Sequence, residues 1–522
     1  MLHSKMTNLF ILISCLCLSV CSSYKILVVF PIPGSSHAIL GEGFVRHLLE
    51  AGHEVTYITP VLLKNPSPKL RQVDVSANFQ AMPLEQVLNL EKLMKKEVDM
   101  TDMNFVKGLM MTIANVTITN PNVRRLMEDR QNTFDVVVAE WLYTELYSGF
   151  SSVFKCPLVW SSSMDPHAMV LWLIDEGPNP AYIADHLSPE NPPFTFWQRV
   201  NELWNILRWM KLAWSTKGLE EAIYNGGYGP SAAKRGVELS PLSQVKYNGS
   251  LMLGNSHIAM GQPVRLPQNY KPILGYHIAE KVKPLPENLQ TIMDKAEHGV
   301  IYFSMGSMLK SKTLPDKLKK ELLETFAGFK QTVIWKFEDK LPNLPPNVHI
   351  VNWAQQQSVL AHPNCMLFIT HGGLLSLTET IHFGVPVIGI PMFADQFLNV
   401  NRAVIKGFGL KVHLDWDVAK NLKAAIEEIL GNPRYHERVK EISFIYHHRP
   451  APPGTELVHW VEHVVRTGGA PHMRSAALDM PFYQKTYLDL AAVILIVVLS
   501  LIYVLKLVLA SKTTRDLNKK NR

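Results

Sequence analysis

The sequence predicts an α/β protein of two successive doubly wound domains that face each other, joined to a C-terminal transmembrane helix. The chain has 522 residues, more than one hydrophobic core usually organises, so two or three domains are expected. In both halves, short apolar strand patterns alternate with helical patterns, which is typical of parallel sheets covered by helices. With 47% hydrophobic and 19% charged residues, the composition is that of a globular protein.

The N-terminal end has the three parts of a secretory signal peptide. His3 and Lys5 precede an apolar run at residues 9–20, and small residues follow it. We therefore predict a signal peptide over residues 1–23.

The C-terminal end has the pattern of a membrane anchor. Residues 490–510 form a largely apolar run whose single charged residue is Lys506, which predicts a transmembrane helix over residues 488–510. The tail at 511–522 is basic, so it is expected in the cytoplasm with the body across the membrane. The last four residues include two lysines and resemble the di-lysine retrieval signal of the endoplasmic reticulum. The predicted location is the endoplasmic reticulum membrane, with a single span and a lumenal body.

The net charge of +7 does not indicate a nucleic-acid partner. Residues 506–522 carry +5 of it and Lys5 one more, which leaves +1 on the body. Phosphate backbones are bound by basic residues concentrated on one face, and the body has no such excess. No pattern in the sequence indicates an oligomeric state.

Cysteines and sequons agree with a lumenal body. Three of the five cysteines leave with the signal peptide, and the remaining Cys156 and Cys365 cannot build a disulfide framework or a metal cluster. Asn115 and Asn248 begin Asn-x-Ser/Thr sequons and are predicted glycosylation sites.

The first half begins with a strand–helix–strand unit. An apolar strand at 26–30 leads through a Pro/Gly/Ser loop to a helix at about 39–51 and a second strand at 55–59. Another buried strand at 135–139 ends in Glu140. The Gly41-Glu42-Gly43 fragment lacks the third glycine of a dinucleotide fingerprint.

An aromatic region follows. Residues 178–193 are a Pro-rich loop, residues 196–214 predict an amphipathic helix, and six of the eleven tryptophans fall between 160 and 214. Core packing is the favoured interpretation of these tryptophans. An apolar ligand pocket and a membrane-facing surface are the alternatives.

A linker at 281–298 divides the two sheets. It separates an N-terminal domain at 24–280 from a C-terminal domain at 299–440, after which residues 441–487 are expected to form a returning helix and a juxtamembrane segment. The predicted strands of the second domain lie at 300–303, 333–336, 349–351, 367–370 and 385–390. Two facing domains of this kind bind ligands in the cleft between the carboxyl ends of their strands.

The segment 367–379 reads as a buried strand, a glycine turn at His371-Gly372-Gly373 and the start of a helix. Backbone N–H groups at such a turn and helix end can bind a diphosphate without a metal ion. His371 and Ser376 add side-chain donors, and Glu379 could accept hydrogen bonds from a ribose diol. A simple helix cap after a strand is the alternative for the turn taken alone.

Residues on either side of the turn extend it to a nucleotide-sugar site. Trp353 upstream can stack on a flat base. Downstream, Asp395 and Gln396 offer an acid and an amide suited to sugar hydroxyls.

These residues belong to a longer pattern that resembles the donor-binding signature of the animal UDP-glycosyltransferases, of insect type. The pattern comprises Trp353, Gln356, residues 359–363, residues 368–373, Ser376, Glu379, Gly384, Pro386, Pro391, Asp395, Gln396 and Asn399. It continues through residues 449–450, 469–472 and 476–479 to the anchor, so the resemblance covers nearly the whole chain.

The resemblance implies a GT-B fold and an inverting transfer that needs no metal and no cofactor beyond the UDP-sugar. It implies that Trp353 stacks on uracil, Gln356 holds the base edge and Glu379 binds the ribose. The diphosphate would be held by Ser307, His371, Gly373 and Ser376. Asp395 and Gln396 would hold the sugar.

The resemblance also implies a catalytic histidine, His37, after the first strand. An imidazole can take the proton of an acceptor hydroxyl as its oxygen attacks the sugar carbon, an effect of about 10²- to 10⁴-fold. Glu140 would orient His37. Many relatives carry Asp at the position of Glu140, and the extra methylene of Glu could misplace the carboxylate. Without the family, a lone histidine here would be read as a surface residue.

Two further departures bear on activity and donor choice, and one motif resembles a metal site. Gln355 stands where the family often has proline, which loosens the base-holding loop. Around residues 263–267, which include Arg265, the arginine that some members use on a glucuronate carboxylate does not align cleanly, so the donor stays open. The Asp415-Trp416-Asp417 sequence resembles a metal-binding Asp-x-Asp, but the predicted phosphate site is supplied by backbone.

The sequence therefore predicts transfer of a hexose, with UDP-glucose favoured, to a hydroxyl of a small lipophilic acceptor, as in conjugation and detoxification. The second domain would move about the linker to close the cleft. The alternatives are a UDP-glucuronosyltransferase, a catalytically silent relative that binds lipophiles or partners through the same cleft, and a single-pass receptor.

Overall fold

A computed structural model describes residues 23–82, 89–95, 97 and 102–520. The first 22 residues, which hold nearly all of the predicted signal peptide, lie outside the described part. The chain forms two compact units, Met1–Met473 and Arg474–Arg522, by their internal contacts.

The larger unit contains all thirteen strands of the described chain. They are β1 Lys25–Val29, β2 Glu54–Thr59, β3 Leu70–Asp74, β4 Val136–Trp141, β5 Leu158–Ser162, β6 Gly249–Gly254, β7 Tyr270–Pro272, β8 Val300–Ser304, β9 Thr332–Lys336, β10 Val348–Val351, β11 Cys365–Thr370, β12 Val387–Gly389 and β13 Gly409–Lys411.

Helices cover both faces of the sheets. They are α1 Ser35–Glu50, α2 Asn78–Ala81, α3 Leu90–Met94, α4 Met103–Thr119, α5 Pro121–Glu128, α6 Gly149–Phe154, α7 Ala168–Leu171, α8 Phe196–Arg235, α9 Leu242–Val245, α10 Glu287–Asp294, α11 Asp316–Ala327, α12 Gln356–Ala361, α13 Leu374–Phe383, α14 Gln396–Ile405, α15 Val418–Gly431, α16 Arg434–His447 and α17 Pro453–Arg466.

The strands form two parallel sheets with the same winding. The first has the order β3-β2-β1-β4-β5-β6-β7 and the second the order β10-β9-β8-β11-β12-β13. In both, the order reverses beside the first strand, so the chain is doubly wound and each sheet has a crevice at the carboxyl ends of its central strands. The central strands β4 and β8 are fully buried, and β11 is buried except at Met366, as the apolar patterns indicate. The prediction of two doubly wound domains is confirmed.

Two local predictions about the first half are wrong. Helix α1 begins at Ser35 instead of about residue 39, so His37 lies in its first turn and not in a loop. Helix α8 begins at Phe196 as predicted but continues to Arg235, with Pro230 inside it. A capping box of Thr195 and Gln198 fixes its start.

The chain crosses between the sheets and returns. Between β7 and β8, helix α10 occupies Glu287–Asp294, within the predicted linker. Leu457, Val461 and Val464 of α17 pack in the hydrophobic core of the first sheet with residues of β1 and α1. The C-terminal segment of the larger unit therefore completes the first domain.

Direct contacts join the two halves. Leu90 of the first half is buried in the hydrophobic core of the second. The Arg402 guanidinium on α14 donates to the Asp165 carboxylate, and both side chains are almost fully buried. Asn401 Nδ2 donates to the Pro189 carbonyl oxygen at 2.6 Å.

The smaller unit contains a 3-10 turn at Ala476–Asp479, the short helix α18 Phe482–Lys485 and the long helix α19 Leu488–Lys520. Residues Leu488–Thr513 of α19 are long and apolar enough to cross a membrane, the one such segment within the described residues. This agrees with the predicted anchor and extends it by a few residues.

Candidate active site

Two adjoining cavities lie between the halves of the larger unit. The first, here the Trp353 cavity, has a volume of about 310 Å³ and is lined by Ser307, Gln356 and Glu379 among others. The second, the His37 cavity, has a volume of about 240 Å³ and is lined by His371, Gly373, Asp395 and Gln396. Ser36, Leu375 and Ser376 line both. The structure thus brings the predicted binding residues, all from the second half, together with His37 of the first half.

The Trp353 cavity combines an aromatic ring with a buried cation. Trp353 follows β10 and is 59% exposed, so one face of its indole is free to stack. Lys336, at the end of β9, is buried with its Nζ 5.6 Å from the centre of that ring. The ammonium donates to Glu338 Oε1 at 3.0 Å and to the Gly306 carbonyl oxygen at 2.9 Å.

The glycine turn before α13 presents backbone donors as predicted. Gly372 has a φ of +84°, a left-handed conformation that favours glycine, and Gly373 is the N-cap residue of α13 without a side-chain cap. The first N–H groups of α13 are therefore free for an anion. The His371 ring lies against Gly306 and Gly373, where a Cβ would come within 3.0 Å of it.

Burial, together with the charge of Lys336, lowers the pKa of His371 to about 4. The imidazole is therefore neutral at physiological pH. A neutral ring can donate one hydrogen bond to a phosphate without the desolvation cost of a charged ring.

Glu379 on α13 is held by two glutamines of α12. Gln356 Nε2 donates to Glu379 Oε2 at 2.6 Å, and Gln357 Nε2 donates to Glu379 Oε1 at 3.0 Å. Gln356 Nε2 also lies 3.1 Å from the Ser376 hydroxyl. Burial raises the pKa of Glu379, and the two amide hydrogen bonds oppose this. Gln356 and Glu379 therefore form one hydrogen-bonded unit.

Gln355 lies at the N-cap position of α12, with its Oε1 buried and unpaired within the described residues. The neighbouring Gln357 accepts a hydrogen bond from the Ala279 N–H at 3.2 Å. This bond attaches the loop to the first half of the chain.

Asp395 and Gln396 lie at the start of α14. Asp395 Oδ2 accepts from Asn399 Nδ2 at 2.8 Å, and burial raises the pKa of its carboxyl group. Gln396 Oε1 accepts from the backbone N–H groups of Met392 and Phe393, at 2.9 and 3.2 Å, so only its amide nitrogen is free for a ligand.

His37 and Glu140 form a hydrogen-bonded dyad. Glu140 lies within β4 and is 1% exposed, while His37 is 17% exposed at the edge of its cavity. His37 Nδ1 lies 2.5 Å from Glu140 Oε1, so Nδ1–H donates to the carboxylate and Nε2 is left as the acceptor of a proton. Burial lowers the pKa of His37, but the Glu140 carboxylate outweighs it and the pKa is raised above 6.5.

The rest of the His37 cavity is mainly apolar. Its apolar residues are Leu40, Met82, Val106, Leu142, Met164, Leu187, Met308, Leu309, Leu374, Leu375, Phe393 and Ala394. Within this wall the Tyr143 hydroxyl contacts His186 Nε2 at 2.7 Å, and His186 Nδ1 lies 3.4 Å from Asp185 Oδ2. Tyr143 has a φ of +53°, a strained conformation for an aromatic residue.

The remaining predicted residues lie away from the cavities. Asn115 on α4 and Asn248 before β6 are both exposed. Asp415 and Asp417 form the turn before α15, with the Asp417 N–H donating to Asp415 Oδ1 at 3.0 Å. No cluster of three or more His, Cys, Asp or Glu side chains in the described chain could hold a metal ion.

Sequence reasoning missed Lys336, Tyr143 and Gln357 as candidate site residues. The position of Lys336 at the end of a predicted strand, next to the cleft edge, was an available signal. Nothing in the sequence distinguished Tyr143, because its contacts are with His186 and Trp209, distant along the chain.

Similarity to known proteins agrees with this geometry. Residues 25–522 match the sequence family described as UDP-glucoronosyl and UDP-glucosyl transferase. UDP-glycosyltransferase UGT5 of Dactylopius coccus is 31% identical over 94% of this chain and 92% of its own length. UDP-glucuronosyltransferase 2B1 of Rattus norvegicus is 27% identical over 96% of both chains.

Solved structures of glycosyltransferases share the fold. A UDP-glucosyltransferase from Polygonum tinctorium, described as capable of glucosylating indoxyl, aligns with a TM-score of 0.54 and 16% identity over 85% of this chain and 99% of its own. The glycosyltransferase of kitacinnamycin aligns with a TM-score of 0.55 and 17% identity over 84% and 99%. The fold is therefore GT-B.

Proposed function

Since this chain belongs to the UDP-glucoronosyl and UDP-glucosyl transferase family, we propose that it transfers glucose from UDP-glucose to a hydroxyl group of a small lipophilic acceptor. It is a UDP-glycosyltransferase, an enzyme that moves a hexose from a UDP-sugar. The choice of sugar, the stereochemistry and the class of acceptor are the parts proposed here.

The observation that carries the choice of a neutral sugar is the charge of the His37 cavity. Asp395 and Gln396 would bind the hexose there, and none of the described residues lining that cavity is Lys or Arg. A glucuronate carboxylate beside Asp395 would find no Lys or Arg side chain among these lining residues, whereas glucose hydroxyls would donate to the Asp395 carboxylate. Arg402 is committed to Asp165, and Arg265 is exposed.

The uridine diphosphate would occupy the Trp353 cavity. Uracil would stack on Trp353, and the Gln356–Glu379 unit would bind the base edge and the ribose hydroxyls. The diphosphate would accept hydrogen bonds from Ser307, His371, Ser376 and the N–H groups at Gly373, with Lys336 as the nearby cation. This backbone-based site supports transfer without a metal ion.

The apolar wall of the His37 cavity would hold the acceptor. His37 Nε2 takes the proton of the acceptor hydroxyl while that oxygen forms a bond to the anomeric carbon. The bond between the anomeric carbon and the diphosphate breaks, and UDP leaves with the electron pair. A single displacement inverts the anomeric configuration, so an α-linked donor gives a β-glycoside.

The proposed location is the endoplasmic reticulum membrane with the body in the lumen. The apolar segment Leu488–Thr513 supports a membrane anchor. The basic residues after it support a cytoplasmic tail, because Lys and Arg are in excess on that side.

A donor panel tests the proposal directly. Full-length protein in microsomes is given UDP-glucose, UDP-galactose or UDP-glucuronate with a library of phenols and steroids, with and without EDTA, and UDP release is measured. We expect the highest kcat/KM with UDP-glucose, no effect of EDTA, and β-glycoside products by NMR. Preference for UDP-glucuronate would refute the donor choice, and an α-glycoside would refute inversion.

The variant His37→Ala tests the alternative that the chain is a catalytically silent relative that only binds ligands. His298→Ala, at an exposed histidine, is the control. We expect turnover to be lost in the first variant alone, with UDP binding retained in both. Equal turnover in the two variants would exclude His37 as the base.

A further inference from the structure

Helix α8 presents an apolar stripe to solvent. Its members are Phe196, Trp197, Val200, Leu203, Trp204, Leu207, Met210 and Trp214, all large and exposed. The three tryptophans are 75%, 59% and 80% exposed. Their spacing of three and four residues places the stripe along one face of the helix.

The opposite face of α8 is the one packed against the body. Glu202, Trp209 and Leu212 are buried there. Glu202 accepts from the Asp185 N–H at 2.7 Å, and Trp209 stacks on Tyr143 with ring centres 5.6 Å apart. Tyr143 lines the His37 cavity, so the inner face of α8 supports the cavity wall while the stripe faces outward.

Basic residues accompany the stripe. Arg199, Arg208, Lys211 and Lys217 are all exposed, and the single acidic residue between 196 and 217 is the buried Glu202. On a helical projection, Arg199 and Lys217 lie to one side of the stripe and Arg208 to the other. A solvent-facing stripe rich in tryptophan and bordered by basic side chains is the pattern of helices that lie in a membrane interface.

We propose that this stripe docks on the surface of a lipid bilayer that contains anionic lipids. The tryptophan rings would lie at the headgroup boundary, and the basic side chains would contact lipid phosphates. A bilayer is the expected neighbour of this chain, because the apolar segment of α19 is long enough to span one. A soluble protein partner is less consistent with the stripe because exposed Arg199, Arg208 and Lys211 border it, and the nearest partly exposed acid on the helix, Glu221, is paired with Lys217 at 3.9 Å.

The docking has a consequence for substrate entry, which rests on the proposed lipophilic acceptor. Because α8 faces the bilayer with one side and supports the acceptor cavity with the other, acceptors dissolved in the membrane reach the cavity beside this helix. The KM for a lipophilic acceptor therefore depends on the stripe, whereas the KM for UDP-glucose does not.

Depth-dependent fluorescence quenching tests the docking without any turnover. Full-length Trp204→Cys is labelled with an environment-sensitive fluorophore in nanodiscs that contain anionic lipid and doxyl-labelled lipid. Lys320→Cys, at a side chain that is 79% exposed on α11, is the matched control. The wild-type protein, whose Cys365 is buried and Cys156 half-buried, measures the background labelling of native cysteines.

We expect blue-shifted, lipid-quenched emission at position 204 and neither effect at position 320. Absence of quenching at 204 would overturn the proposal, as would a shift that follows protein concentration instead of lipid, because that would indicate self-association. Replacing anionic by neutral lipid should weaken the quenching.

A kinetic comparison tests the consequence for entry. The triple variant Trp197→Ser, Trp204→Ser and Trp214→Ser is compared with Trp416→Ser, which removes a 51% exposed tryptophan elsewhere. In nanodiscs, the triple variant should raise the KM for a membrane-soluble phenol severalfold and leave the KM for a water-soluble phenol and for UDP-glucose unchanged. Equal changes for both phenols would refute entry from the bilayer while leaving the quenching result to decide the docking.

Discussion

Replacing Glu140 by Gln should reduce turnover strongly and shift its pH dependence. The carboxylate accepts the Nδ1–H of His37 at 2.5 Å and is itself 1% exposed, so little solvent screens the pair. An amide of the same size keeps the shape but removes the negative charge that stabilises the imidazolium. It can also turn its NH₂ toward His37 and favour the wrong tautomer.

The size of the effect follows from the proton transfer. General-base catalysis contributes about 10²- to 10⁴-fold, and a base in the wrong tautomer loses most of this. We expect kcat to fall by about 10²- to 10⁴-fold in Glu140→Gln, while the KM for the UDP-sugar stays within about threefold because the dyad lies outside the Trp353 cavity.

The pH profile of kcat/KM provides the decisive assay. His37 acts as a base only when neutral, so activity rises as the pH passes its pKa. The pKa of His37 is raised above 6.5 by Glu140 against the effect of burial, so the acid limb of the wild type should lie above pH 6.5. Without the carboxylate, burial dominates and lowers the pKa of His37. The acid limb should then move to lower pH, while the maximal kcat/KM falls.

An acid limb that stays in place in Glu140→Gln would refute this reasoning. Glu140→Asp tests the negative charge separately from the length of the side chain, because it keeps the carboxylate but moves it back by about one methylene. We expect its kcat to lie between those of the wild type and Glu140→Gln. The acid limb of its pH profile should lie at a higher pH than that of Glu140→Gln. Glu54→Gln, at an exposed carboxylate on β2, controls for surface charge and should leave both quantities unchanged.

Three further outcomes follow from the cavity contacts. Trp353→Ala should weaken UDP binding by about 5- to 150-fold, since stacking of a base contributes about 1–3 kcal/mol, and calorimetric titration with UDP measures it. Lys336→Met should raise the KM for the UDP-sugar by about 10- to 150-fold through the lost charge-assisted hydrogen bond, with binding of free uridine little changed. Arg402→Met should cost about 3–5 kcal/mol of stability by leaving Asp165 buried and unpaired, and thermal denaturation should show partial recovery when Asp165→Asn is added.

The apolar central strands and the glycine turn could be predicted from the sequence because their signals are local. Strands β1, β4, β8 and β11 are short runs of buried apolar residues, and each prediction matches within one or two residues. The turn at Gly372 requires a left-handed backbone conformation that glycine supplies. Local pattern and tertiary environment favour the same structure at these positions.

Elements whose identity depends on distant partners escaped prediction from local pattern, and the His37–Glu140 dyad was expected only from the family resemblance. Strand β3 has only two buried residues, Leu70 and Val73, and β6 includes two glycines, so neither has the apolar run of a central strand. Gly249 and Gly254 are small because the rings of Trp160 and Tyr270 occupy the space of a side chain there. The dyad geometry is equally non-local, since His37 and Glu140 are 103 residues apart.

The placement of His37 in the first turn of α1 explains why the dyad needs a full negative charge. The N-cap residue Gly34 provides no side-chain cap, so the partial positive charge of the helix end acts on the imidazole and favours its neutral form. Burial acts in the same direction. A histidine under both influences would be a weak base, unable to hold a proton taken from an acceptor hydroxyl. The buried Glu140 carboxylate reverses this balance, and the glutamate reaches the ring because β4 continues past it to Trp141 and fixes its backbone within the sheet. The longer side chain at position 140 is therefore compatible with an active base.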